Sequence, residues 1–259
     1  MIKTIKLNIK PLGQSPRLVY IYLPDNYDQT DKLYDVLYMF DGHNLFDDST
    51  ATYGKSWGMK KYLDKNRDDL IIVGVDCNHY GNKRLDEYCP FIGYDRYVKH
   101  IKDDGKITAR WFVETLKPAI EKRFRVHSSR EHVGIAGSSM GGLMSIYMIS
   151  QYNDVFSKAA CLSSSTEMCF KKLLNHVRNT NMNKDTKIYL NFGANETNSK
   201  KVLAIRLNEM LQINHEFTKK GCDTYCRLLV NGYHDEATWE KCLPDFLNYL
   251  YPNGNTISR

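Results

Sequence analysis

Short apolar runs alternate with longer amphipathic ones along this chain. Eight runs have the length and flanks of strands: 6–10, 18–23, 36–40, 70–75, 133–136, 158–162, 188–192 and 227–230. The first two read as an antiparallel opening pair. Helical spacing marks 57–63, 108–124, 140–152, 199–219 and 237–250. The 108–124 segment is the strongest, with Phe112, Leu116, Ile120 and Phe124 recurring every four residues. Buried strands alternating with helices predict a mainly parallel sheet covered on both faces. No internal repeat, low-complexity linker or boundary interrupts the pattern, so one domain over 1–259 is expected. Two excursions, at about 76–107 and 163–185, break the alternation. Both follow the carboxyl ends of strands, where open α/β sheets place ligands. Long loops of this kind are usually functional.

Composition narrows the class without changing it. The chain has 259 residues, 42% hydrophobic and 25% charged, which suits a soluble α/β enzyme with a large core. No run approaches the roughly 18 apolar residues of a membrane helix, and the alternating N-terminus has no apolar signal core. A cytoplasmic protein with no membrane partner is therefore expected. The net charge is +6, but basic residues are interleaved with acids. That reads as a solvated surface, with no nucleic acid as partner. The seven cysteines have irregular spacing and no paired C-x-x-C. No zinc site is expected, and free buried thiols suit a reducing compartment. Oligomeric state is not readable from the pattern, and a homodimer stays open.

The chemistry is carried by the segment after the 133–136 run. Gly137-Ser138-Ser139-Met140-Gly141 fits G-x-S-x-G, the strand-to-helix turn that exposes a serine nucleophile. An apolar helical pattern follows, as the motif requires. Ser139 is the expected nucleophile, flanked by glycines because the corner leaves no room for a Cβ. Such a serine needs a base, oriented by an acid, in the chain order serine, acid, histidine. Of the later histidines, His215 lies in a helical run and His176 in an excursion. His234 follows the last strand through a short loop and is the expected base. Among later acids, only Glu196 lies just past the carboxyl end of a buried strand. Its structural alternative is to cap the next helix with Asn198 or Thr197. Glu209 and Glu216 read as solvated helix positions, and Asp185 and Asp223 as preceding their strands. The oxyanion hole is expected from the N–H of Met140 and one from the loop at Gly42. His43 either lines the pocket or is a loop residue bonded to backbone. Arg84 and Glu87, at spacing three, either pair with each other or contact substrate beside Tyr88. Trp57 and Trp111 read as core.

These residues together resemble the "putative esterase" family of the α/β-hydrolase superfamily, which includes esterase D (S-formylglutathione hydrolase), enterochelin-esterase-like enzymes, feruloyl esterases and mycolyltransferases. Leu37 to Phe46 with Ser56-Trp57-Gly58 resembles the family's strand, D-G-x-N-L-F loop and first helix. Arg84-Leu85-Asp86-Glu87-Tyr88-Cys89-Pro90 is similar to its R-x-x-E-Y-x-P segment. Gly193-Ala194-Asn195-Glu196 corresponds to the acid loop, with Glu where relatives carry Asp, and Gly232-Tyr233-His234-Asp235 with Trp239 to the histidine loop and closing helix. The resemblance covers most of the chain. It implies an α/β-hydrolase fold, with a mostly parallel eight-stranded sheet and helices on both faces, and it lies nearest the enterochelin-esterase-like and carbohydrate-esterase branch. The expectation is a serine carboxylesterase acting on a small-molecule ester without metal or cofactor. An acyltransferase to a sugar or lipid alcohol and a non-catalytic binding protein of the same fold are the alternatives.

Overall fold

The computed structural model describes residues 1–13 and 15–252. The tail 253–259, which the sequence reading includes in its one domain, lies outside them. The strands are β1 (Ile2–Leu7), β2 (Arg17–Tyr22), β3 (Asp35–Phe40), β4 (Leu70–Val75), β5 (Val133–Ser138), β6 (Lys158–Leu162), β7 (Lys187–Gly193) and β8 (Asp223–Leu229). They form one sheet in the order β1-β2-β4-β3-β5-β6-β7-β8. The β1–β2 and β2–β4 pairs are antiparallel and the rest parallel. This is the expected eight-stranded, mostly parallel sheet. β1 begins four residues earlier than predicted, and it ends at Leu7 ahead of the 3-10 turn Lys10–Leu12, where Pro11 has no N–H for a strand ladder. β8 also starts earlier than predicted, so Asp223 opens that strand instead of preceding it.

The helices are α1 (Met59–Asn66), α2 (Lys83–Glu87), α3 (Gly105–Trp111), α4 (Lys117–Glu121), α5 (Met140–Gln151), α6 (Phe170–Asn179), α7 (Lys200–Lys219), α8 (Glu236–Lys241) and α9 (Leu243–Leu250). The predicted helix 108–124 is instead α3, a π-helical stretch at Phe112–Leu116, and α4. Pro118 has no N–H to give the carbonyl four residues back, and the ladder widens just before it. The predicted 237–250 helix likewise divides at Cys242, with Pro244 in the first turn of α9.

Strand side chains alternate between two apolar layers. Val36, Tyr38, Phe40, Ile71 and Val73 face the layer that holds α5, α6 and α7. Leu37, Met39, Leu70 and Ile72 face α1, α8 and α9. Helices therefore cover both faces, as expected. α9 alone buries Leu243, Phe246, Leu247 and Leu250 completely, each worth about 1.5–3 kcal/mol of transfer free energy. Trp57 and Trp111 are core residues, as predicted. The strand order reverses around β3, with β4 on one side and β5 on the other. The crevice outside the carboxyl ends of the strands at such a reversal is where ligands bind in open α/β sheets.

Candidate active site

Ser139 stands between β5 and α5 with φ 58° and ψ −123°. A serine in that region is strained, and the surroundings hold it there. The Ser139 N–H donates to the Leu162 carbonyl at 3.0 Å, and the Ser139 carbonyl accepts from the Ser165 N–H at 3.0 Å. A Cβ on Gly137 would stand 2.7 Å from the Gly141 backbone, so the turn closes only with glycine there. The N–H of Met140 is the first of α5 and has no intrahelical acceptor.

His234 follows β8, and Glu196 follows β7. His234 Nδ1 lies 2.7 Å from Glu196 Oε2. Glu196 Oε1 accepts from the Gly193 N–H at 2.6 Å. The Glu196 side chain is 3% exposed and that of His234 39%. A buried carboxylate thus meets a histidine with one open edge. The Trp239 ring packs edge-to-face with the imidazole, ring centres 5.3 Å apart, and its Nε1–H donates to Ser163 Oγ at 3.0 Å. Glu196 does not cap α7. Ser199 does, accepting from the Val202 N–H at 3.3 Å.

Ser139, His234, Gly81, Arg84, His43 and Glu236 line one cavity of about 390 Å³. Another cavity, about 270 Å³, is lined by Ser163, Ser165, Glu167, Glu196, Arg206 and His234. His234 belongs to both. The Ser139 hydroxyl is hydrogen-bonded to Ser165 Oγ at 3.1 Å, and no Ser139–His234 hydrogen bond is present among the described residues. Catalytic hydrogen bonds of this type often tighten only with substrate in place.

Gly42 sits where predicted, in the turn after β3. A Cβ there would fall 2.4 Å from the Gly74 carbonyl carbon, so the backbones of the β3 turn and β4 touch directly. Its neighbour Asp41 has a left-handed backbone, φ 55°. Arg84 grips Asp41 with both arms of its guanidinium, Nε–Oδ1 at 2.8 Å and Nη2–Oδ2 at 2.7 Å.

That clamp corrects the expected Arg84–Glu87 pair. Glu87 turns the other way, to Arg17 and to Asn78 Nδ2 at 3.1 Å. Tyr88 is buried behind Asp41, accepting its N–H at 3.3 Å. Glu87 and Tyr88 therefore brace the wall from behind, while Arg84 and His43 line the cavity. His43 is buried, with Nε2 on Thr52 Oγ1 at 2.9 Å. Glu209 and Glu216 are also buried, against expectation. Glu209 accepts from Thr166 Oγ1 at 3.0 Å and Arg206 Nη1 at 2.8 Å, and Glu216 from Arg178 Nε at 2.7 Å. His215 is exposed on α7 as predicted, and Asp185 pairs with Arg130 below the sheet.

Two carboxyl groups at the cavities are held above the ordinary carboxylate range. Burial does this at Glu236, with Asp235 and Asp41 adding to it. Burial also raises Glu167, against the pull of Arg206. Sequence reasoning missed Glu236, Ser165 and Asp41. The polar run Ser163-Ser164-Ser165 directly after β6 was the available signal for Ser165.

The family model described as "Putative esterase" matches residues 12–250. Over 242 residues the chain is 22% identical to "Uncharacterized protein YbbA" of Bacillus subtilis (strain 168), covering 89% of this chain and 91% of that one. An IroE-like serine hydrolase from Shewanella oneidensis superposes with a TM-score of 0.76 at 19% identity, over 97% of this chain and 80% of that one. A ferulic acid esterase superposes with a TM-score of 0.72 at 19% identity, over 96% of this chain and 97% of that one. These likenesses show a fold of the α/β-hydrolase type. The family match spans most of the chain, which belongs to this esterase family and is an esterase enzyme.

Proposed function

We propose that the chain is a serine carboxylesterase working through an acyl-enzyme. The Ser139 hydroxyl attacks the ester carbonyl while His234 Nε2 takes its proton. The tetrahedral oxyanion is held by the N–H of Met140 and one from the Gly42 turn. Collapse expels the alcohol, which receives the proton from His234. Water then repeats the sequence and releases the acid. Glu196 fixes the imidazole with Nδ1–H toward Oε2 and stabilises the imidazolium.

The observation that carries this reading is the meeting of a strained Ser139 and a carboxylate-backed His234 on one cavity. The wall offers Arg84, His43, Asn78 and Glu236, which supports a small ester with polar groups flanking the scissile bond. The six buried cysteines and half-buried Cys226, all free, support a reducing compartment.

Hydrolysis of p-nitrophenyl acetate by wild-type and Ser139→Ala protein tests the proposal, alongside labelling by a fluorophosphonate. The variant is expected to lose at least about 10³-fold in kcat and all labelling. A Ser139→Ala protein with wild-type turnover would exclude the mechanism. Products formed in the presence of sugar or lipid alcohols separate hydrolysis from acyl transfer.

A further inference from the structure

A second chemical cluster stands at the wall of the same cavity, sharing His43 with that wall and none of Ser139, His234 and Glu196. Asp76 and Cys77 follow β4, His79 lies two residues on, and His43 reaches them from the turn after β3. Asp76 Oδ1 receives the Cys77 N–H at 2.9 Å, with His79 Nε2 at 2.8 Å and His43 Nδ1 at 2.7 Å. One ligand atom from each of His43, Asp76, Cys77 and His79 lies within 4.8 Å of all the others.

Asp76 thus gathers two imidazoles and a backbone N–H on one oxygen. His43 is 6% exposed, and the polar group at its buried Nδ1 is Asp76 Oδ1 at 2.7 Å, in poor alignment for a hydrogen bond. The other ring nitrogen is held by Thr52 Oγ1 at 2.9 Å, the kind of outer partner that aims a ligating imidazole.

We propose that His43, Asp76, Cys77 and His79 bind a late first-row divalent cation of the zinc class. Two imidazoles, a carboxylate and a thiol suit such an ion, whereas magnesium and calcium take oxygen ligands. Tetrahedral bonds of about 2.0–2.3 Å put ligand atoms roughly 3.3–3.8 Å apart, inside the 4.8 Å span of the cluster but wider than its two His–Asp contacts. Opening both His–Asp contacts, now 2.7 and 2.8 Å, to that distance requires the Asp76 carboxylate to turn away from the buried His43 and the exposed His79 to retreat with it. The cation would replace the buried thiol proton and join the turns after β3 and β4. The ligands come from positions 43 and 76–79, so no zinc-type spacing announces them. The hydrolysis proposed above requires no cation, and this site is tested by binding alone.

The experiment titrates Zn²⁺ calorimetrically against a competing chelator and Co²⁺ by absorption. All proteins carry His132→Ala, which removes the separate Asp35–His127–His132 grouping at the other end of the sheet. One Co²⁺ per chain is expected, with tetrahedral d–d bands and a thiolate charge-transfer band. His79→Ala and Asp76→Asn should each weaken binding at least about tenfold. Cys77→Ser should lose the charge-transfer band and keep the d–d bands. His234→Ala should bind as the parent does. His79→Ala is an exposed change, so its folded state is checked by an unaltered metal-free Tm. Affinity unchanged in both His79→Ala and Asp76→Asn would overturn the site. So would no stoichiometric binding, or binding lost in His234→Ala and kept in His79→Ala.

Discussion

Glu196 divides its two oxygens between Gly193 and His234: Oε1 takes the Gly193 N–H at 2.6 Å, and Oε2 faces His234 Nδ1 at 2.7 Å. Both contacts need an acceptor, so a carboxylate satisfies them and an amide does not. Glu196→Gln keeps the shape but turns an NH₂ toward one partner. With the amide nitrogen toward His234, the imidazole must present Nδ1 as acceptor, and Nε2 is then protonated and useless as a base. Its kcat is expected to fall about 10²–10⁴-fold with KM little changed. Steady-state kinetics on p-nitrophenyl acetate measure this, and a loss confined to KM would contradict the orienting role.

Ser165 holds the Ser139 hydroxyl in the absence of substrate, while its N–H holds the turn. Ser165→Ala removes only the first contact. The change in kcat/KM should stay within about tenfold, the range of one hydroxyl hydrogen bond. A loss as large as that of Ser139→Ala would make Ser165 a participant in the chemistry.

Gly42→Ala should be costly although its backbone is unstrained. The new methyl would meet the Gly74 carbonyl at 2.4 Å, and a strand backbone inside the sheet cannot step aside. A penalty of about 1–3 kcal/mol or more is expected, lowering Tm by roughly 3–10 °C. Differential scanning calorimetry reads it directly.

Stability should depend on pH through Glu236. Burial raises its pKa above the ordinary value, so the folded state binds its proton more tightly than the unfolded chain. That contribution is complete below the unfolded pKa, about 4.3, and is lost as pH rises through the folded value. Glu236→Gln abolishes the effect. The Tm of the variant minus that of wild type should grow from pH 4 to pH 7. A flat difference would mean that ionising Glu236 costs the fold nothing.

Much of this was legible in the sequence because strand ends are. Ser139, Glu196 and His234 each follow an apolar run by a few residues, and direction along the sheet then puts them at one edge. Side-chain partners from distant segments were not legible. Spacing three suggested that Arg84 would meet Glu87, yet Asp41 and Arg17, 43 and 70 residues away, claim them instead. Glu209 and Glu216 looked solvated because helical periodicity cannot show that Thr166, Arg206 and Arg178 would close over them. Helix length failed where proline intervened, at Pro118 and Pro244.

The bare contact between Gly42 and Gly74 has a consequence for how this enzyme can diversify. The main chain at position 42 rests on β4 itself, with no side chain interposed to be exchanged. Its location is inherited from the sheet, whereas the shape of the cavity mouth comes from the segment that begins at Asp76. Changes there that spare Arg84 and Tyr88, which hold Asp41, can admit a different ester while the backbone beside Ser139 keeps its place, so substrate range and reaction chemistry can evolve at different speeds.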